Sequence, residues 1–120
     1  MNKSAVNDLI HYAYHALSDV QIANNGIINK AFRGQISSFG AAVMLGSLTS
    51  AIAFFSDNGG ASVERKKILA AILLILERDK QENKCESLYD YVVKNGDSCK
   101  EDIINAAIAI KLSMNLYKLV

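Results

Sequence analysis

The chain has 120 residues, enough for one domain with a real core and too few for two. Its 13 Lys and Arg against 12 Asp and Glu give a formal net charge of +1, which excludes a bulk electrostatic pull toward nucleic acid or acidic lipid and leaves any such role to charge placement. The absence of proline and the abundance of Ala, Leu, Ile and Lys predict one compact all-α bundle over residues 1–120, with about six helices, four of them long.

Met1-Asn2-Lys3 leads into a helical pattern without the apolar segment of a secretory signal, so a cytoplasmic protein is expected. Ser4 is placed to cap a first helix running to about Ala23. Its apolar face is Val6, Leu9, Ile10, Ala13, Ala16, Leu17 and Val20, and Asn24-Asn25-Gly26 is expected to end it. A second helix is predicted from about Ile27 to Leu45, with Ile28, Phe32, Ile36, Phe39 and Val43 on one stripe and Lys30, Arg33 and Ser37 on another. Gly34 and Gly40 weaken it intrinsically, so tertiary packing must hold it.

From Arg33 to Ser56 no residue after the arginine is charged, and so long a run must be buried in protein, in a membrane or against a partner. Gly46-Ser47, a helix stop followed by a fresh N-cap, divides the run into two packed helices rather than one membrane span. The third helix is then Ser47 to Phe55, and Asp57-Asn58-Gly59-Gly60 is a turn. The fourth is expected from an N-cap at Ser62 to about Asp79, its centre ILAAILLIL apolar on nearly every face and therefore central. A polar connection, Lys80 to Lys84, precedes a short helix from Ser87 to Lys94 closed by Asn95-Gly96. Ser98 and Glu101 form an S-x-x-E capping box for a last helix expected to reach Val120.

Nucleophile-elbow, phosphate-loop and dinucleotide-binding patterns are missing, and no cofactor is expected. Cys85 and Cys99 fit free thiols in a reducing compartment. Asp8, His11, His15 and Asp19 share one face of the first helix, a pattern that suits a divalent metal or acid–base chemistry, but no second element offers HExxH or Glu-x-x-His partners, and i, i+4 pairs of this kind are ordinary surface chemistry. We therefore expect no metal site. A small helical adaptor, or a metal-binding helical protein using this face, is the alternative function. Phe32, Phe39, Phe54 and Phe55 are expected in the core.

Cations are more informative by position. No carboxylate lies between Asp19 and Asp57, while Lys30 and Arg33 share a helix face. Arg65, Lys66 and Lys67 open the fourth helix against its dipole, and Lys111 and Lys118 are expected on the last helix. Together these could line a phosphate backbone, and Lys30, Arg33, Arg65, Lys66, Lys67 and Lys118 are the candidate RNA-binding residues.

The segment ISSFGAAVMLGSLTSAIAFFS, the helix opening ERKKILAAILLIL and the ending AAIAIKLSMNLYKLV resemble the small α-helical subunit of the type III-B CRISPR effector complex, the Cmr RAMP module. Ser38-Phe39-Gly40-Ala41, Ala51-Ile52-Ala53-Phe54-Phe55 and Tyr117-Lys118-Leu119 stand where that family carries its pattern. The chain departs from it at the Gly46-Ser47-Leu48-Thr49-Ser50 bend and around Met114-Asn115, where an arginine is frequent in the family. The resemblance implies a non-catalytic subunit of an antiviral RNA-guided complex that stacks head to tail with its own copies into a minor filament and helps to position target RNA paired with the guide RNA, without membrane or small-molecule substrate. Its implied partners are the backbone subunit and other subunits of the module, further copies of itself, and the guide RNA–target RNA duplex.

Overall fold

The first helix of the computed structural model, which describes residues 1–120, is α1 (Lys3–Asp19). It is capped by Asn2 rather than Ser4, the Asn2 side chain accepting from the Ala5 amide at 3.1 Å. Val6, Leu9, Ala13, Ala16 and Leu17 form its buried face. It stops at Asp19 because Gln21 adopts a left-handed φ of 64°, which turns Ile22 and Ala23 into the core.

The next segment corrects the all-α expectation. Ala23–Asn24 (β1) and Ile27–Ile28 (β2) form an antiparallel hairpin. Asn25 and Gly26, with φ of 54° and 78°, supply the two left-handed residues that a tight hairpin turn requires. The last predicted helix does not reach Val120 either: residues Lys118–Leu119 (β3) pair in parallel with β2, Ile27 opposite Lys118 and Ile28 opposite Leu119. Amides of Lys118, Val120 and Lys30 donate to the carbonyls of Gly26, Ile28 and Val120, each at 3.0 Å. The chain is 68% helical, with a small three-stranded sheet in the order β1-β2-β3.

Helix α2 (Ala31–Leu45) buries Phe32, Ile36, Phe39 and Val43, the stripe expected from its spacing, and starts where Asn29 Oδ1 accepts from the Ala31 amide at 2.9 Å. After Gly46, Ser47 caps α3 (Leu48–Ser56) by accepting from Ser50 at 2.9 Å. Phe54 faces outward, a departure from its expected core position, while Phe55 is buried. Helix α4 (Lys66–Leu76) starts later than Ser62 and buries Ile68, Leu69, Ala71, Ile72, Leu73 and Ile75. Ser87 caps α5 (Leu88–Asn95), accepting from Asp90 at 3.1 Å, and Gly96 ends it with φ of 69°.

The S-x-x-E capping box does not form. Ser98 lies in a 3-10 turn, Gly96–Cys99, and donates its hydroxyl to the Asn95 carbonyl at 2.8 Å; α6 (Lys100–Ser113) then begins without a side-chain cap. A second 3-10 turn, Met114–Leu116, delivers Tyr117, whose hydroxyl donates to the Tyr14 carbonyl at 2.7 Å and whose ring stacks on Tyr14 at 4.6 Å. Helix α6 packs against α1, α2 and α4, while α3 and α5 close over α4. One core of 32 buried residues joins all six helices. The radius of gyration, 13.2 Å, is that of a close-packed domain of this length, about 13–14 Å. No helix is long and apolar enough to cross a membrane.

Candidate nucleic-acid interface

The basic side chains sort by what the backbone around them does. Lys30 immediately precedes α2, pinned where its amide donates to Val120. Arg33 lies on the same exposed face of α2, one turn further on. Parallel pairing of β3 with β2 brings Leu119 beside them, and the packing of α2 on α6 adds Lys111. Lys30, Arg33, Gly34, Ser37, Lys111 and Leu119 line one open groove of about 560 Å³. Lys118 lies on the strand that borders it, exposed.

No carboxylate lines this groove. The ion pairs of the molecule are the Met1 amine with Glu101 at 2.9 Å and Lys80 with Glu77 at 3.3 Å, so Lys30, Arg33, Lys111 and Lys118 have no acidic partner. Three exposed, unpaired cations around an open concavity make a local positive potential that net charge conceals. Such a surface suits the phosphates of a nucleic-acid backbone. It offers no exposed aromatic ring on which a base could stack.

Arg65 is elsewhere in every sense. It is 7% exposed, with Nε donating to the Asp57 carbonyl at 2.6 Å and Nη2 to the Phe54 carbonyl at 2.7 Å. Its guanidinium lies 4.5 Å and 4.8 Å from the ring centroids of Phe54 and Phe55. The C-terminal end of α3 carries unsatisfied carbonyls and partial negative charge, and Arg65 satisfies both. All of its contacts are internal, so it is a structural cap and not a surface cation. Gly59 leaves the room: a Cβ there would sit 2.8 Å from Nη2.

Lys66 and Lys67, although adjacent in sequence, face a different concavity, between α3, α4 and the start of α5. Lys67 also donates to the Gln21 carbonyl at 3.3 Å. The six predicted cations therefore divide three ways. Lys111, noted in the sequence beside Lys118 but not among the six, joins the groove because the long-range packing of α6 on α2 brings it near Arg33.

Asp8, His11, His15 and Asp19 are exposed along α1. The two imidazoles meet edge to face at 4.7 Å, and no group of three or more His, Cys, Asp or Glu is arranged to hold a metal ion. Glu77 is the one buried carboxylate, 4% exposed. Burial pushes its carboxyl up, but the Cys85 amide at 3.0 Å and 3.2 Å from its two oxygens, with Lys80 beside them, holds it below its ordinary value. Glu77 thereby closes the connection between α4 and α5. Cys85 and Cys99 are unpaired and buried, and burial raises both thiols, Glu77 adding to the effect at Cys85. Neither is poised as a nucleophile.

No protein-family model, curated protein or solved structure matches the chain.

Proposed function

We propose that this chain is the small, non-catalytic subunit of a type III-B RNA-guided effector complex, the Cmr module. In that role it holds the phosphate backbone of the guide–target RNA duplex in the groove of Lys30, Arg33 and Lys111. The observation that carries the RNA part is the convergence of these unpaired cations around one concavity without a carboxylate. The assignment to that complex rests on the sequence pattern. Of the resembling residues, Phe39 in α2 and Ala51, Ile52 and Phe55 in α3 are buried and contribute to the packing of the helix that carries Arg33.

Phosphate contacts of this kind bind without regard to sequence, and base pairing between guide and target supplies the specificity. Lys118 extends the cationic strip; Lys66 and Lys67 lie outside it, and Arg65 contributes by holding the fold. The partners are the backbone subunit and further copies of the chain, in the cytoplasm.

The test is target-RNA affinity of the reconstituted complex against salt concentration, with Lys30→Glu and Arg33→Glu combined. Affinity should fall, and the salt slope should drop by about one for each phosphate that is no longer neutralised. Unchanged affinity and slope would refute the assignment of this face.

A further inference from the structure

Helix α4 is left uncovered along one stripe. Within ILAAILLIL, Ala70 and Leu74 alone are exposed, Leu74 to 41%, and with Lys66 they recur at i, i+4 and i+8 on one face of the helix. All three line a concavity of about 630 Å³ whose floor is Leu69, Leu73 and Leu88. The two serines on its wall are engaged with the backbone, Ser56 donating to the Ile52 carbonyl at 2.7 Å and Ser87 accepting from the Asp90 amide at 3.1 Å. Charge enters only at the ends. Lys66 and Lys67 stand at the start of α4, and neither has an acidic partner. Lys67 makes one bond, to the Gln21 carbonyl at 3.3 Å, which leaves it ammonium donors to spare. Glu86 marks the opposite end: the Cys85 amide before it is held by Glu77, which follows the last residue of α4, so a helix of 11 residues, about 16 Å, separates the carboxylate from the lysines.

We infer that this groove binds a soluble single-chain carboxylate, a medium-chain fatty acid, with its head at Lys66 and Lys67 and its tail laid along Ala70 and Leu74 over the leucine floor. The volume lies in the range of about 300–1,000 Å³ of small-molecule sites, which are likewise mostly apolar with a few polar groups that fix orientation. The charges select the ligand. A cationic amphiphile would meet two like charges at the head, and a diacid would set its second carboxylate on the apolar floor toward Glu86. From Lys66 to Leu74 is about 12 Å at 1.5 Å per residue, the reach of an extended chain of about nine or ten carbons with bonds of about 1.5 Å. Each methylene buried there tightens binding about fourfold. A concave seat receives one detached chain at a time, whereas a bilayer would require a projecting apolar face. The site is separate from the Lys30 groove and needs neither RNA nor another subunit.

The test is isothermal titration calorimetry of the purified chain with decanoate below its micelle-forming concentration. Binding should saturate at one per chain and be tighter by about tenfold or more than that of decyltrimethylammonium or decanedioate. Octanoate, two methylenes shorter, should bind about tenfold more weakly. Lys66→Gln with Lys67→Gln should weaken decanoate by about tenfold and leave decanol, which has the tail without the charge, unchanged. Ala70→Glu, at an exposed groove position one turn from Lys66 and so compatible with the helix, should abolish binding of both by placing a charge in the tail's path, while circular dichroism shows the fold intact. Lys30→Glu with Arg33→Glu should bind decanoate as the wild-type chain does. No saturable binding, equal affinity for the cationic amphiphile, or indifference to the Lys66/Lys67 pair would overturn the inference. So would adsorption of the chain to phosphatidylglycerol vesicles without uptake of free decanoate, which would make the groove a membrane contact.

Discussion

Arg65 is the residue at which local sequence and three-dimensional role diverge most, and its removal is the sharpest test of the fold. Arg65→Ala deletes two short hydrogen bonds from a charged donor, worth about 1.5–3 kcal/mol each, and the stacking on Phe54 and Phe55, worth about 0.5–2 kcal/mol. The Phe54 and Asp57 carbonyls recover part of this by taking up water, leaving a net cost of about 3–5 kcal/mol, a large share of the 5–15 kcal/mol typical of a domain. With a urea m-value of about 2 kcal/mol/M, the midpoint of equilibrium unfolding followed by far-UV circular dichroism should fall by roughly 2 M. Arg65→Lys keeps the charge but loses the planar fork that reaches two carbonyls at once, and should lose about 2 kcal/mol. Gly59→Ala attacks the same cluster from the other side, combining a left-handed φ of 56° with a Cβ 2.8 Å from the guanidinium, and should cost about 1–2 kcal/mol or more. A lysine variant within about 0.5 kcal/mol of wild type, accompanied by weakened RNA binding, would refute this account and return Arg65 to the surface.

Three further outcomes are expected at other sites. Glu77 has a folded pKa below its unfolded value of 4.5, so its stabilisation is complete above about pH 4.5 and fades as pH falls through the folded pKa. Glu77→Gln should cost about 1–2 kcal/mol at pH 7 and lose less on acidification, and an acid-induced shift of the urea midpoint as large as in wild type would contradict this. At Gly40 an added methyl meets nothing within 4 Å, so Gly40→Ala should raise stability by about 0.5–1 kcal/mol, roughly 3 °C in Tm by calorimetry; a fall would reveal a clash. Tyr117→Phe removes the hydroxyl bond to Tyr14 while keeping the stacked ring, and a loss of about 0.5–1.5 kcal/mol is expected in urea unfolding.

Much of the helical scaffold can be read from local chemistry. The helical stripe of Phe32, Ile36, Phe39 and Val43, the cap at Ser47, and the burial of most of ILAAILLIL, Ala70 and Leu74 excepted, all follow from spacing and N-cap preference. The misreadings share a cause: a partner distant in sequence. Asn25-Gly26 is a strong hairpin signal, but two-residue strands are too short to show alternation, so it looks like a helix stop. Lys118 and Leu119 have ordinary helix propensity and become a strand only because β2 offers an unpaired edge. The Ser98 hydroxyl is taken by the Asn95 carbonyl, leaving the capping box without its first member. In the candidate site, Lys30 and Arg33 are visible as neighbours one turn apart, whereas Lys111 requires the α2–α6 packing. Arg65, Lys66 and Lys67 look like one basic patch, but carbonyls of Asp57 and Phe54, eight and eleven residues upstream, draw the first of them inward.

The parallel pairing of Ile27–Ile28 with Lys118–Leu119 joins segments that are among the most widely separated in the chain, and the groove straddles that seam. Its charges therefore have no existence as a linear epitope: a peptide containing Lys30 and Arg33 lacks Lys111 and Leu119, and formation of the concavity must await closure of a long loop. Ligand affinity and global folding become thermodynamically linked. In the proposed role, RNA at 100 times its dissociation constant would add about 2.7 kcal/mol to the unfolding free energy, so a thermal upshift on adding RNA would report on the seam as much as on the cations.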